Sequence, residues 1–227
     1  MQTVKTNGIT VATTVWPGRG PTVVAVHGLT ANHTCWYPIA AGLAPAVRFV
    51  AYDLRGRGDS EKPATGYSLE HHTRDLLGLL DHFAVERGVI IGHSLGAHIA
   101  LRVAAHHPDR VARLVLVDGG LDVRAEVFDS LAPAIERLGL EFPSREAFLE
   151  RMRALPMFAG RWNAALERYF SYDVEPAPGG GVRSKAPRAA VAEELANLQR
   201  ERLWVWHHKV AAPTLLLRAP DGLLRDT

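Results

Sequence analysis

Five short apolar runs punctuate the chain: TVVAVHG (22–28), RFVAYD (48–53), GVIIGHS (88–94), RLVLVDG (113–119) and PTLLLRA (213–219). Runs of this length, bounded by turn residues, read as strands buried on both faces, the mark of a parallel sheet. Helical patterns lie between them. SLEHHTRDLLGLLDHF (68–83) opens on Ser68, a good N-cap, and places Leu69, Leu76, Leu80 and Phe83 near one face. GAHIALRVAAHHP (96–108) is a second helix that stops at Pro108. The first 16 residues alternate around Asn7-Gly8, which predicts a hairpin. Strands alternating with helices predict an α/β fold: a mostly parallel sheet with helices on both faces.

The rhythm breaks after residue 120. Residues 121–208 show helical pieces and no convincing strand, and PAPGGGVRSKAP (176–187) reads as a mobile loop. The expected organisation is a core of 1–120 and 209–227, with 121–208 inserted as a helical lid. Bulk properties narrow the setting. Hydrophobic residues make up 47% and charged ones 22%, and the net charge is +2, so there is no basic footprint for nucleic acid. The one cysteine, Cys35, permits no internal disulfide and fits a reducing compartment. The N-terminal pattern is not that of a secretion signal, and no apolar run reaches the ~18 residues of a membrane helix. The expectation is a cytoplasmic protein without membrane partners; a homo-oligomer is compatible with the pattern.

Chemistry concentrates where a strand stops. Gly92-His93-Ser94-Leu95-Gly96 joins the third apolar run to a helix. Such a turn is too tight for side chains at its flanking positions, strains the central serine and lifts its oxygen above the sheet. The Leu95 N–H, at the helix start, then becomes a donor to a developing oxyanion. His27-Gly28-Leu29-Thr30 ends another strand, and the Leu29 N–H is the natural second donor. A third stretch, YDLRGRGDSEKP (52–63), is a charged, glycine-rich loop that reads as structural.

Together HG, DLRGRGDS and GHSLG, followed by a helical insertion, resemble the α/β-hydrolase superfamily, in its lid-bearing branch with a serine nucleophile. The resemblance implies a Ser–acid–His set in that chain order. Ser94 matches the nucleophile. Asp221, just after PTLLLRA, stands in the place of the acid, with Asp118 the runner-up and Asp226 third. No histidine follows Asp221. A further strand, helix and loops carrying the base would need roughly 25–30 more residues. The three adjacent pairs, His71-His72, His106-His107 and His207-His208, point apart and read as solvated or helix-end residues rather than metal ligands. His93 is expected to pack away from Ser94, and His98 to be core.

The insertion is rich in aromatic residues, and Phe158 and Trp162, with His33 and Trp36 opposite, are the candidate pocket walls. These imply a small, mainly apolar acyl substrate and neither metal nor cofactor. The expected activity is hydrolysis of an ester or related acyl bond through acyl-Ser94. The alternatives are a non-catalytic small-molecule-binding relative and an incomplete fragment without the general base.

Overall fold

The computed structural model describes residues 1–122 and 131–219. Its main sheet has seven strands in the order β1-β2-β4-β3-β5-β6-β10. These are β1 (Gln2–Thr6), β2 (Ile9–Trp16), β3 (Thr22–Val26), β4 (Arg48–Tyr52), β5 (Gly88–His93), β6 (Val111–Val117) and β10 (Thr214–Leu217). The five apolar runs supply β3, β4, β5, β6 and β10, and every pairing among them is parallel. Only β2 runs against the others, pairing antiparallel with β1 on one side and β4 on the other. Asn7 and Gly8, at φ of 45° and 77°, turn that hairpin as the sequence predicts.

Helix α1 (Tyr37–Leu43) covers one face, where Trp36 and Ala40 pack with Val23, Ala25, Phe49 and Ala51. Helices α2 (Leu69–His82) and α3 (Leu95–His106) contribute to the larger core with β3, β5 and β6. Ser68 caps α2 as expected, its side chain accepting from the His71 N–H. The buried side of α2 is not purely apolar: His72, Thr73 and Asp75 lie there among four leucines. Helix α3 is buried almost all round, and its small residues Gly96, Ala97, Ala100 and Ala104 let it lie close to the strands.

The segment after β6 differs from the sequence reading. It carries α4 (Ala132–Glu136), α5 (Arg145–Arg153), α6 (Ala164–Tyr172), α7 (Arg188–Leu198) and α8 (Trp204–His207). It also holds a second sheet of β7 (Glu141–Phe142), β8 (Val174–Pro176) and β9 (Val182–Ser184), in the order β7-β9-β8. The stretch 176–187 is therefore no plain loop: Gly180 and Gly181, at φ of 92° and 74°, turn a hairpin from β8 into β9. Strands of two or three residues are too short to show alternation, which is why the sequence hid them.

This segment sits on the loops that leave the C-terminal ends of β3 and β4. Asn32 Nδ2 donates to Tyr169 O at 3.3 Å, and Arg137 Nη2 donates to Thr30 O at 2.9 Å. Tyr172 donates its hydroxyl proton to Asp53, and Lys185 pairs with Asp59 at 2.6 Å. Glu193 accepts from the N–H groups of Gly66 and Tyr67, both at 3.0 Å.

Candidate active site

Ser94 occupies the turn between β5 and α3 with φ 52° and ψ −117°, a conformation that costs a non-glycine residue of order 1–3 kcal/mol. The surroundings over-determine it. Its N–H donates to Val117 O at 2.9 Å, and its carbonyl accepts from Ala97 N–H at 2.9 Å. Backbone closes in on three glycines. A Cβ at Gly92 would lie 2.1 Å from Gly96 O, one at Gly96 would lie 2.1 Å from Val26 O, and one at Gly119 would lie 2.6 Å from Ser94 O. The strain expected from GHSLG is present, and the glycines are there because no side chain fits.

The loop after β3 comes up beside this turn. A Cβ at Gly28 would lie 3.4 Å from Ser94 Cβ and 3.2 Å from His93 Nδ1. The Gly28 carbonyl is held by His27 Nδ1–H at 2.8 Å and by Ala31 N–H at 3.2 Å. His27 Nε2 accepts from Leu54 N–H at 3.0 Å, which fixes the neutral tautomer. Burial pushes this imidazole down to about 4, against the pull of Asp53 and of the Gly28 carbonyl. Because the peptide is planar and trans, the Leu29 N–H points opposite to the anchored Gly28 carbonyl. Neither the Leu29 nor the Leu95 N–H donates to an acceptor among the described residues.

Of the carboxylates, Asp221 and Asp226 lie outside the described residues. Asp118 ends β6 next to the strand that carries Ser94, with φ 46° and its N–H donating to Leu217 O at 2.8 Å. Burial lowers the His93 pKa, and the charge of Asp118 acts to raise it. No imidazole nitrogen among the described residues hydrogen-bonds Ser94 Oγ.

Two sequence-derived wall residues are corrected by burial. His33 is fully enclosed: Nδ1 and its own N–H both meet Asp53 Oδ1, at 2.9 and 2.8 Å, and Nε2 meets Thr14 Oγ1 at 3.0 Å. Trp36 is 3% exposed and packs under α1. Neither presents a surface to a ligand. Phe158 and Trp162 are partly exposed in an aromatic cluster with Phe148 and Phe170, and Trp162 Nε1 donates to Glu167 at 2.7 Å. His98 is buried, as expected, with its pKa lowered to about 4 chiefly by burial.

Sequence reasoning missed a buried ionic layer around this loop. Asp53 gathers His33, Tyr172 and the Asp59 N–H. Burial alone would raise its pKa, but the hydrogen bonds and charge of its partners, His33 first, bring it below the usual carboxylate value. Arg55 grips Asp75 with two bonds of 2.6 and 2.7 Å. His72, expected to be solvated or at a helix end, is instead fully buried and paired with Glu194, which also binds Arg57. The signal available was the polar pair His72 and Asp75 on the apolar side of α2.

A family model described as "alpha/beta hydrolase fold" matches residues 21–167. A 2-(acetamidomethylene)succinate hydrolase from Mesorhizobium japonicum is 31% identical over 211 residues, covering 91% of this chain and 73% of that protein. A putative carbamate hydrolase, RutD, from Klebsiella pneumoniae is 30% identical over 226 residues, covering 95% and 79%. The crystal structure of an E-2-(acetamidomethylene)succinate hydrolase superposes with a TM-score of 0.85 at 28% identity, over 95% of this chain and 78% of that one. No helix among the described residues is long and apolar enough to cross a membrane. The strained serine turn, the sheet order and these relatives agree: the chain belongs to the alpha/beta hydrolase fold family, among relatives named as hydrolases.

Proposed function

We propose that the protein hydrolyses an ester or related acyl bond, with Ser94 forming an acyl intermediate. The observation that carries this reading is the Ser94 backbone, held at φ 52° by the packing around Gly92, Gly96 and Gly119. A binding site has no use for such a turn. A nucleophile does, because the turn fixes its oxygen at the N-terminus of α3. The Leu29 and Leu95 N–H groups are the donors to the tetrahedral oxyanion, and their lack of acceptors among the described residues supports that role. In the reaction Ser94 Oγ attacks the acyl carbon, its proton passes to a base, the leaving group departs with a proton, and water releases the acid.

The two relatives are named for an acetamido compound and a carbamate, so acyl C–N bonds stand beside esters as candidate substrates. The acid is assigned to Asp221 or Asp118. Asp118→Asn separates them, because Asn accepts a positive φ as Asp does and the variant then tests charge rather than backbone. Phe158 and Trp162 are kept as candidate walls for the apolar part of the substrate.

The reading is tested by acid-quenching the protein during p-nitrophenyl acetate turnover and measuring intact mass. An acetyl increment that maps to Ser94 is expected. Because no imidazole among the described residues hydrogen-bonds Ser94 Oγ, added imidazole should accelerate release of p-nitrophenol above a Ser94→Ala background. A well-folded protein that gains no acetyl group and shows no Ser94-dependent rate would overturn the proposal in favour of ligand binding without turnover.

A further inference from the structure

Three buried side chains unused by the acyl-transfer reading connect α7 to the loop beside Ser94. Arg57 is fully buried. Its Nε donates to Leu29 O at 2.6 Å, its Nη1 to Arg55 O at 3.1 Å, and its Nη2 to the Glu194 carboxylate. Glu194, 1% exposed, comes from α7, and its second oxygen meets Nε2 of His72 on α2. Burial pushes the Glu194 carboxyl up, but Arg57 and His72 outweigh it and leave its pKa below the ordinary value.

Burying such ions costs several kcal/mol each unless they are paired, and apolar side chains of similar volume would anchor α7 at least as well. What the ions supply is direction. A guanidinium is a rigid fork. With Glu194 and Arg55 O filling two arms, the third is aimed at Leu29 O. The preceding carbonyl, that of Gly28, is held by His27 and Ala31. The peptide groups on both sides of Leu29 are thus fixed: its N–H, without an acceptor among the described residues, belongs to the first, and Arg57, by holding the second, restricts the Leu29 backbone rotations that would tilt it.

We propose that Arg57, locked by Glu194 and His72, is a positioning residue that aims the Leu29 N–H at the oxyanion, so that the Glu194–Arg57 pair, rather than the other contacts of α7, sets the rate of acylation. The proposal rests on the Ser94 and Leu29 reading above. It makes the charged loop 53–60 more than scaffold, and it gives the inserted segment a stake in chemistry as well as in covering the site.

The test is the time course of fluorophosphonate labelling, which yields an apparent affinity, a limiting rate constant and a final extent for each variant. Glu194→Gln and Arg57→Lys should lower the limiting rate constant by about 10-fold or more, with apparent affinity within about two-fold and labelling still complete. Glu193→Gln is the control: it loosens the same helix from Gly66 and Tyr67 without touching Leu29, and should lower the melting temperature while leaving the rate constant unchanged. A merely structural role would instead reduce the labelled fraction and leave the rate constant of that fraction alone. Wild-type rate constants in both folded variants would overturn the proposal. If Arg57→Lys does not fold, Glu194→Gln decides, and loss of cooperative unfolding in both would assign the set to stability alone. A wild-type protein unlabelled at Ser94 would bring down the nucleophile reading itself, whereas a labelled wild type with unchanged variant rates would remove only this inference.

Discussion

At the scale of single residues, the site is defined by what is too crowded to change. Ser94 pays conformational strain that glycine would not. Ser94→Gly should therefore be more stable than Ser94→Ala by about 1 kcal/mol, although both lack the hydroxyl. Urea denaturation of the two variants measures this difference, and equal stabilities would mean that the turn is relaxed. Gly96 and Gly28 make a second contrast. A methyl group at Gly96 meets the Val26 and His27 carbonyl oxygens at 2.1 and 2.7 Å, whereas one at Gly28 meets the His93 ring at 3.2 Å. Backbone cannot yield as a side chain can, so Gly96→Ala should cost about 2–3 kcal/mol or more and Gly28→Ala clearly less. Similar unfolding midpoints would refute the packing argument. The glycines and Ser94 were legible because their constraints are local and leave a five-residue pattern. Asp53, His72 and Glu194 were not, because an ion pair between α2 and α7 joins residues 122 positions apart and writes nothing periodic into either segment.

At the scale of elements, the core strands and α2 and α3 could be read directly, since each has a run or a face long enough to show its period. The inserted segment could be read only in part. Its helices have amphipathic faces, but β7, β8 and β9 are two or three residues long, and their pairing is set by the Gly180-Gly181 turn rather than by alternation. This segment attaches to the core through apolar contacts, with Leu138, Val191, Leu198, Leu203 and Trp206 in the main hydrophobic cluster, and through polar anchors as well. Tyr172 is one such anchor: its hydroxyl reaches Asp53, and its ring lies 3.8 Å from Lys185 Nζ. Burial and the Asp53 charge push the Tyr172 pKa far up, so the phenol stays protonated and donates at any ordinary pH. Tyr172→Phe keeps the ring and deletes that donor to a buried carboxylate, which should cost about 1.5–3 kcal/mol. Equilibrium denaturation gives the number, and a neutral substitution would show that the hydroxyl bond carries no weight in docking.

At the scale of the whole molecule, the sheet brings β3, β5 and β6 side by side, so that the HGLT loop, the serine turn and Asp118 end together at one edge of the core. Their sequence spacing alone does not reveal that meeting; the strand order does. The same core imposes a pH dependence. His27 and His98 are buried neutral with pKa values near 4, against 6.5 for an exposed imidazole. The unfolded chain therefore binds protons that the folded one refuses, and stability falls as pH drops from about 6.5 towards 4. Each histidine should remove about 2 kcal/mol between pH 7.5 and 5. Asp173 opposes this, because burial raises its pKa and its protonation favours the folded state in acid. Denaturant titrations at the two pH values should show a net loss, smaller in His98→Gln than in wild type. A flat profile would mean that these imidazoles are not buried as neutral groups.

The central claim is that Ser94 is a nucleophile. Its most direct test is to expose the wild-type protein and Ser94→Ala to a fluorophosphonate and to map the modified peptide by mass spectrometry. The account requires one phosphonyl group, on the peptide that contains Ser94, and none on the folded alanine variant. Labelling that persists in Ser94→Ala, or that maps to another residue in the wild type, would contradict it.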